Sequence, residues 1–301
     1  MRSISRFSVA AVAFALVMTA GLVMTSGLAF AGMGQPSPWE IGLQDSATPV
    51  MDDIVWFHDR LLWVITAIVA FVLLLLLIVM VRFNARANPT PSRTTHNTLV
   101  EVLWTVIPVI ILVGIAIPSF RILFFQLNTP KADLTIKATG KVGWFWHYTY
   151  PDNGPIDFDS FMLKEADRTA KKPDQPRLLA VDEELVVPIN KVVRVLVTAD
   201  AEGVIHSFAV PSFGIKIDAI PGRLNETWFK AEREGIYYGQ CSELCGKDHA
   251  FMPIAVRVVS DQAFADWLGK AKQKGWVGAS NGAPADERTT IAANAAISER
   301  N

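Results

Sequence analysis

The residues best suited to chemistry lie in one short stretch near the carboxyl end of the chain. Cys241, Cys245, His249 and Met252 offer two thiols, an imidazole and a thioether within twelve residues. His206 adds a second imidazole 35 residues earlier. Thiolate, thioether and imidazole are ligands that suit copper, and a weak axial methionine is typical of copper electron-transfer sites. The residue types and their spacing therefore predict a copper site.

The second cysteine in this stretch indicates more than one copper ion. A single copper electron-transfer site needs one cysteine, two histidines and a weak axial ligand. Two thiolates that each bridge divide the set between two ions, so that each ion has one histidine and one further weak ligand. Sharing one electron across two bridged ions spreads the charge change over more bonds. The geometry then changes little on reduction, which favours fast electron transfer.

Two other uses of these residues are chemically open. An exported pair of cysteines commonly forms a disulfide, although His249 and Met252 close behind the pair disfavour that use. Two cysteines with two histidines suit zinc, but zinc-finger spacings differ and methionine is not a zinc ligand. The remaining histidines are interpreted as ordinary surface or core residues; they are His58, His96 and His147.

The composition indicates a membrane-associated chain. Of 301 residues, 19% are charged and 51% are hydrophobic, whereas an average soluble domain has about 25% charged residues. The formal net charge is −1, and the chain has no block of like charges. Nucleic acid is therefore not an expected partner, because phosphate recognition needs a basic patch. Two cysteines also exclude a disulfide scaffold.

The amino-terminal segment predicts export. Residues 1–31 carry Arg2 and Arg6 as their only charges and end in Ala29-Phe30-Ala31. This pattern is typical of a signal peptide with a small-residue cleavage site. An uncleaved first membrane helix is the alternative, and both give the same orientation for the rest of the chain.

Two further apolar runs predict a transmembrane hairpin. Residues 61–81 and 102–120 contain no charge, and each run is long enough to cross the hydrocarbon core of a bilayer. The loop 82–98 between them has three arginines and no acid, which predicts that this loop is cytoplasmic. Everything after residue 127 then lies on the outer side.

The outer part of the chain has the pattern of an all-β domain. Short alternating or β-rich runs bounded by turn residues predict strands at 134–138, 193–197, 225–230, 235–238 and 254–259. Residues 151–177 are rich in proline and charge and predict a long loop. One helix is expected after Ser260, a good helix N-cap.

These patterns divide the chain into five predicted segments. They are a signal peptide at 1–31, an outer segment at 32–55, a helical hairpin at 56–127 with its cytoplasmic loop at 82–98, a copper-binding β domain at 128–270, and a disordered tail at 271–301.

At these residues the chain resembles cytochrome c oxidase subunit II, specifically the copper-bearing subunit of bacterial aa3-type oxidases. The resemblance covers most of residues 50–268. It rests on the helix hairpin, the aromatic run 144–148, and the motifs at 205–212, 218–223 and 237–246. The resemblance implies a cupredoxin-like Greek-key domain with a binuclear CuA centre.

The resemblance also implies a ligand set and partners. The copper ligands would be His206, Cys241, Cys245, His249, Met252 and the backbone carbonyl of Glu243. The carboxylate of Glu243 would contact a magnesium ion shared with the haem-bearing subunit I. A subunit III, membrane lipid and cytochrome c as electron donor are the other expected partners. The expected location is the bacterial inner membrane, with the copper domain in the periplasm and oxygen reduction coupled to proton pumping.

Two proteins of other kinds share some of these features. A copper carrier needs exposed, exchangeable ligands, whereas this stretch lies among Trp, Tyr and Phe residues. A quinol oxidase subunit shares the fold, but the intact cysteines and histidines argue against it. The chain has no Cys-x-x-Cys-His motif for a c-type haem, so a separate cytochrome c is expected to supply the electrons.

The resemblance assigns roles to two residues outside the cluster. Trp144 would be the contact through which electrons from cytochrome c reach copper. Trp146 lies on the same strand face, so either indole can lie over the copper. Glu101, at the cytoplasmic start of the second apolar run, would be a point where protons enter. A carboxylate there also favours a helix N-terminus electrostatically, so a purely structural role stays open.

Docking of a basic cytochrome would depend on clustered acids. Residues 130–270 hold 20 acidic and 17 basic side chains, so the domain's net charge alone would steer a donor weakly. The predicted acidic patch lies near the aromatic run and consists of Asp152, Asp157, Asp159, Asp182 and Asp200.

Overall fold

Two long helices precede a β domain in the computed structural model, which describes residues 34–90, 92–154 and 156–276. The helices are α1 (Pro49–Arg82) and α2 (Thr98–Leu127). The predicted signal peptide and residues 277–301 of the predicted tail lie outside the described residues.

Both helices begin at good N-caps. The side chain of Thr48 accepts a hydrogen bond from the backbone N–H of Met51, and that of Asn97 accepts one from Val100. Each cap satisfies a backbone donor that has no partner within the helix. Pro108 and Pro118 lie inside α2, which membrane helices tolerate better than soluble ones. Both helices are long and apolar enough to cross a membrane, and they lie where the sequence predicts the two spanning segments.

The described part of the β domain contains ten strands and two α-helices, besides three single-turn 3-10 helices. The strands are β1 (Leu134–Lys141), β2 (Phe145–Tyr150), β3 (Ile156–Ser160), β4 (Leu185–Pro188), β5 (Val192–Ala199), β6 (His206–Val210), β7 (Ile215–Ala219), β8 (Asn225–Lys230), β9 (Gly235–Cys241) and β10 (Pro253–Val259). The helices are α3 (Glu165–Lys171) and α4 (Asp261–Gln273).

The strands form two five-stranded sheets. One sheet has the order β3-β2-β1-β5-β8, and the other has the order β4-β10-β9-β6-β7. Most neighbouring strands are antiparallel, while β1 pairs with β5 and β4 with β10 in parallel. Their inward-facing side chains form one shared core, as expected for two packed sheets.

The aromatic residues of β2 fill much of that core. Trp146, Tyr148 and Tyr150 are all fully buried, because alternate residues of a strand point to the same face. The Tyr150 hydroxyl donates to the carbonyl of Val186 and accepts from its N–H. Trp267 of α4 packs on the Tyr150 ring with centroids 5.0 Å apart. The closing helix is therefore fixed to the core by an aromatic contact.

The prediction of a long loop at 151–177 is wrong. This range contains β3 and α3. Ile156 and Phe158 point inward, and Phe158 lies opposite Tyr148 in the β2–β3 pairing. The alternation with Asp157 and Asp159 is a strand pattern, but the nearby prolines and the high charge of the segment obscured it.

Several hydrogen bonds join the β domain to the start of α1 and the end of α2. The Thr48 hydroxyl donates to the carbonyl of Phe213 at 2.8 Å. The Gln126 side chain donates to the carbonyl of Gly214 at 3.1 Å. The Trp228 indole donates to the backbone carbonyl of Gln126 at 3.1 Å. The domain is thus held by residues at the start of α1 and at the end of α2.

The buried carboxylate of Glu184, just before β4, stabilises the domain. One oxygen of Glu184 accepts from Lys172 at 2.8 Å and from Gln175 at 2.6 Å, and the other accepts from Arg257. Burial alone would raise the pKa of Glu184, but these donors outweigh it and hold the pKa below its ordinary value of 4.5. The carboxylate therefore joins the segment after α3 to β10.

Replacement of Glu184 by glutamine should destabilise the chain at pH 7 by about 1–3 kcal/mol, because three donors lose a charged acceptor. A lowered carboxyl pKa contributes stability above its unfolded-state value, and this contribution is lost as the pH falls through the folded-state value. The difference between wild type and Glu184→Gln should therefore shrink in acid. Urea unfolding of the full chain in detergent at a series of pH values measures it.

The neighbouring Glu183→Gln is the matched control, because Glu183 and its partner Lys274 are both more than a third exposed. Its effect should stay within about 0.5 kcal/mol at every pH. A difference between wild type and Glu184→Gln that did not change with pH would contradict the role given to this carboxylate.

Candidate metal centre

Two neighbouring strands bring the first ligands together. His206 is the first residue of β6 and Cys241 is the last residue of β9. These strands pair, with Phe208 opposite Cys241. The loop after β9 carries Cys245 and His249 back towards the same end of the sheet, where β10 begins at Pro253. Residues distant in sequence therefore meet at one end of the sheet.

The predicted ligand atoms converge at this point. The two cysteine sulfurs lie 3.7 Å apart. The sulfur of Cys241 is 3.9 Å from Nδ1 of His206 and 3.4 Å from the carbonyl oxygen of Glu243. The sulfur of Cys245 is 3.4 Å from Nδ1 of His249 and 3.8 Å from Sδ of Met252. Each sulfur thus has one imidazole and one weaker donor beside it.

The donor set fits a soft metal ion. Both cysteines are free and buried. Burial, reinforced by the neighbouring Cys241, raises the pKa of the Cys245 thiol to about 12. Burial also lowers the pKa of His206, which favours the neutral imidazole that binds metals. Two adjacent buried thiolates need a bound cation to offset their lost hydration, and sulfur with imidazole suits copper.

Trp146 forms the inner wall of the cluster. Its indole N–H donates to the carbonyl of Met252 at 3.3 Å. Its ring lies edge-on to the rings of His206 and Phe208, with centroids 6.2 and 5.3 Å away. Fully buried aromatic groups therefore exclude water from behind the cluster.

Trp144 covers the cluster from the other side, in the turn between β1 and β2. Its N–H donates to the carbonyl of Lys141 at 3.0 Å, and its indole N–H donates to the carbonyl of Cys245 at 3.1 Å. The side chain is half-buried. Both tryptophans therefore bond to carbonyls of predicted copper ligands.

The backbone of Trp144 is strained, with φ of 57°. Three-residue hairpin loops commonly have a left-handed residue at this point, a position that favours glycine. The left-handed conformation costs roughly 1–2 kcal/mol for a residue with a Cβ atom. The indole hydrogen bond to Cys245 and close packing on Gly246 oppose this cost. Strain of this kind occurs frequently at functional sites.

The structure keeps Glu101 far from the cluster. Glu101 lies in the first turn of α2, and its carboxylate accepts from the N–H of Asn97 at 3.3 Å. About 40 Å of helix separates it from the carboxyl-terminal end of α2. The loop between β9 and β10, residues 242–252, is called the metal loop. The carboxylate of Glu243 is exposed on this loop, and the carbonyl of Glu243 lies beside the sulfur of Cys241.

The predicted acidic patch is not one surface. Asp152 follows β2, whereas Trp144 precedes it, so the two lie at opposite ends of that strand. Asp159 pairs with His147 at 2.7 Å, and Asp200 pairs with Lys141 at 2.7 Å. Asp200 is therefore partly neutralised by Lys141, and the prediction of one patch that places Asp152 near Trp144 is wrong.

One neighbour of the cluster was missed in the sequence. Gly140 of β1 lies against the imidazole of His206. A glycine inside a strand marks a close approach of another group, and that signal was present in the sequence.

Comparison with known proteins gives a consistent family. Residues 134–259 match the family described as cytochrome c oxidase subunit II, periplasmic domain, and residues 36–122 match its transmembrane domain. A probable cytochrome c oxidase subunit 2 from Rickettsia bellii (strain RML369-C) is 52% identical over 274 residues, which are 91% of this chain and 96% of that protein.

Two further relatives are similar over shorter ranges. The cytochrome c oxidase subunit 2 of Cereibacter sphaeroides is 46% identical over 255 residues, covering 80% of this chain and 83% of that protein. The crystal structure of the periplasmic domain of subunit II of cytochrome oxidase from Bradyrhizobium japonicum is 65% identical, covers 48% of this chain and 98% of its own, and has a TM-score of 0.44.

Proposed function

Because the chain belongs to the cytochrome c oxidase subunit II family, we propose that it accepts electrons from cytochrome c at a binuclear copper centre and passes them to haem in subunit I. Family membership makes the chain a membrane-bound oxidoreductase subunit with a cupredoxin-like domain. The observation that carries the proposal is the convergence of two thiols, two imidazoles and a thioether at one end of the sheet.

The proposed copper ligands are His206, Cys241, Cys245, His249, Met252 and the carbonyl of Glu243. A copper pair bound there would supply reversible storage of one electron. The protein supplies a rigid and dry cage. His206 and Met252 are almost completely buried, and a rigid ligand set keeps its geometry when the charge changes.

We propose Trp144 as the residue through which electrons arrive. Its half-exposed indole bonds to the carbonyl of Cys245, which connects the protein surface directly to a proposed copper ligand. A rigid indole with few rotamers is also a good contact for a docking protein. Because Asp152 lies at the far end of β2 and Asp200 is paired with Lys141, docking depends more on this contact than on a single acidic patch.

The remaining partners follow from the family and the exposed groups. We propose that the exposed carboxylate of Glu243 binds a magnesium ion shared with subunit I, and that subunit III completes the complex. The hairpin would lie in the bacterial inner membrane with loop 82–98 in the cytoplasm, as its arginines favour. The copper domain would face the periplasm, and oxygen reduction in the complex would be coupled to proton pumping.

Glu101 is proposed as a point where protons enter from the cytoplasmic side. An ionisable group at the edge of the hydrocarbon can collect protons from water. Its hydrogen bond to the N–H of Asn97 also supports a structural role at the helix end. This role is compatible with proton entry.

The full chain, purified in detergent and loaded with copper, should hold two copper ions. Its EPR spectrum should show one unpaired electron coupled equally to both. Cys245→Ser should destroy or convert the centre, because a hydroxyl cannot bridge soft copper ions. The control Glu243→Gln keeps the backbone carbonyl, so it should retain copper while the complex loses magnesium. One copper per chain with an intact disulfide would refute the proposal.

Trp144→Gln should slow electron transfer from cytochrome c by orders of magnitude, because it removes the aromatic contact. Copper content should change little, since the ligands remain. Trp144→Phe is the matched variant, which keeps a ring but loses the bond to Cys245. Rapid-mixing kinetics on the oxidase complex give the rates. If Trp144→Gln weakened binding of cytochrome c in proportion to the lost rate, Trp144 would serve docking alone.

Glu101→Ala should slow oxygen reduction by the complex while leaving the copper spectrum and the first electron transfer unchanged, because the site lies at the far end of α2. Glu101→Gln keeps a polar group near Asn97 but cannot carry the proton, so it should be similarly slow. Steady-state oxygen uptake measures both. Normal turnover in Glu101→Gln would leave this residue a helix-end role only.

A further inference from the structure

The strand β1 passes directly behind the imidazole of His206. A Cβ atom built on Gly140 would lie 2.6 Å from Cδ2, 2.9 Å from Cγ and 3.0 Å from Cβ of His206. Such distances lie far inside the normal carbon–carbon contact of about 3.5–4.0 Å. Either the strand or the imidazole would have to move to accept any side chain at position 140.

The strand cannot move away easily. Gly140 pairs with Trp146 of β2 on one side and with Ala199 of β5 on the other. Its carbonyl also accepts a hydrogen bond from the N–H of Asp200 at 3.1 Å. Packed interiors have little free volume. Because this backbone is hydrogen-bonded on both sides, a clash at position 140 would displace the side chain that packs against the strand.

The imidazole is therefore the group that would shift. His206 is 0% exposed, and its ring packs against Gly140 and at a steep angle to the Trp146 ring. Its Nδ1 faces the sulfur of Cys241, so a displaced ring carries this nitrogen away from the thiols. By contrast, a Cβ on Gly239 would meet the carbonyl oxygen of Ala209, which is backbone and holds no ligand.

We propose that Gly140 is a positioning residue for the metal centre, one that sets where Nδ1 of His206 stands. The absence of a side chain lets the imidazole pack directly on the β1 backbone. This backbone limits how far the ring can move away from Cys241. This role rests on the proposed function of His206 as a copper ligand. Gly140 supplies no ligand atom of its own and acts only through the ring of His206.

The first test is the metal centre of Gly140→Ala in the full chain. Copper affinity should fall by about 10- to 100-fold, as for other residues that orient a ligand. The EPR spectrum of the copper that remains should differ from that of the wild type. Gly269→Ala is the control, because a Cβ there meets nothing within 4 Å and α4 is outside the cluster. Unchanged copper affinity and spectrum in Gly140→Ala would overturn the inference.

The second test uses the copper-free chain and removes the imidazole. Gly140→Ala should lower the unfolding temperature by about 5 °C, the scale of an overpacked core. In a His206→Gly background the same change should cost much less, because the space is vacated. An equal cost in both backgrounds would mean that the clash is with something else. If Gly140→Ala fails to fold, recovery in the double variant supports the inference and continued failure overturns it.

The two tests separate this inference from the proposed function. A wild-type chain that binds no copper would refute the function, whatever Gly140 does. A wild-type chain with a normal copper spectrum, shared by Gly140→Ala, would refute only the positioning role.

Discussion

The proposed metal centre depends on the antiparallel pairing of β6 with β9. That pairing places His206 beside Cys241, although 35 residues separate them in the sequence. Once these two are adjacent, the loop after Cys241 has only to fold back over the end of the sheet. This fold brings Cys245, His249 and Met252 to the same place. The buried aromatic row of β2 then closes the cluster from behind. The convergence of the proposed ligands is therefore a consequence of how the sheet is paired.

Sequence reasoning found the parts of this arrangement whose signal is local. The ligands carry their own chemistry, and the membrane helices are long uncharged runs. It missed β3, whose alternating Ile156 and Phe158 stand among prolines and acids. It also placed Asp152 with Asp159, although they lie towards opposite ends of the paired strands β2 and β3. Which residues share an end of a sheet depends on strand pairing and register, and this pairing could not be predicted once β3 had been missed.

The two tryptophans illustrate the same limit. Strand periodicity places Trp144 and Trp146 on one face, but Trp144 precedes the strand and lies in a left-handed turn. Each indole donates to the carbonyl of a different residue of the metal loop. The buried Trp146 behaves as core, while Trp144 holds a strained backbone against the loop. A strained backbone persists only when its surroundings hold it in place. Here the carbonyl of Cys245, in the metal loop, holds the Trp144 side chain.

The strand β6 also relates the metal centre to the membrane. His206 begins β6 at the cluster, and the chain leaving its other end reaches Phe213, whose carbonyl accepts the Thr48 hydroxyl at the start of α1. Five residues of strand span about 16 Å, so this element acts as a rigid spacer between the cluster and the first membrane helix. Because β6 is hydrogen-bonded to a strand on each side, its length cannot change without breaking the sheet. For the proposed electron transfer, a strand paired on both sides would keep the distance between the cluster and the start of α1 constant.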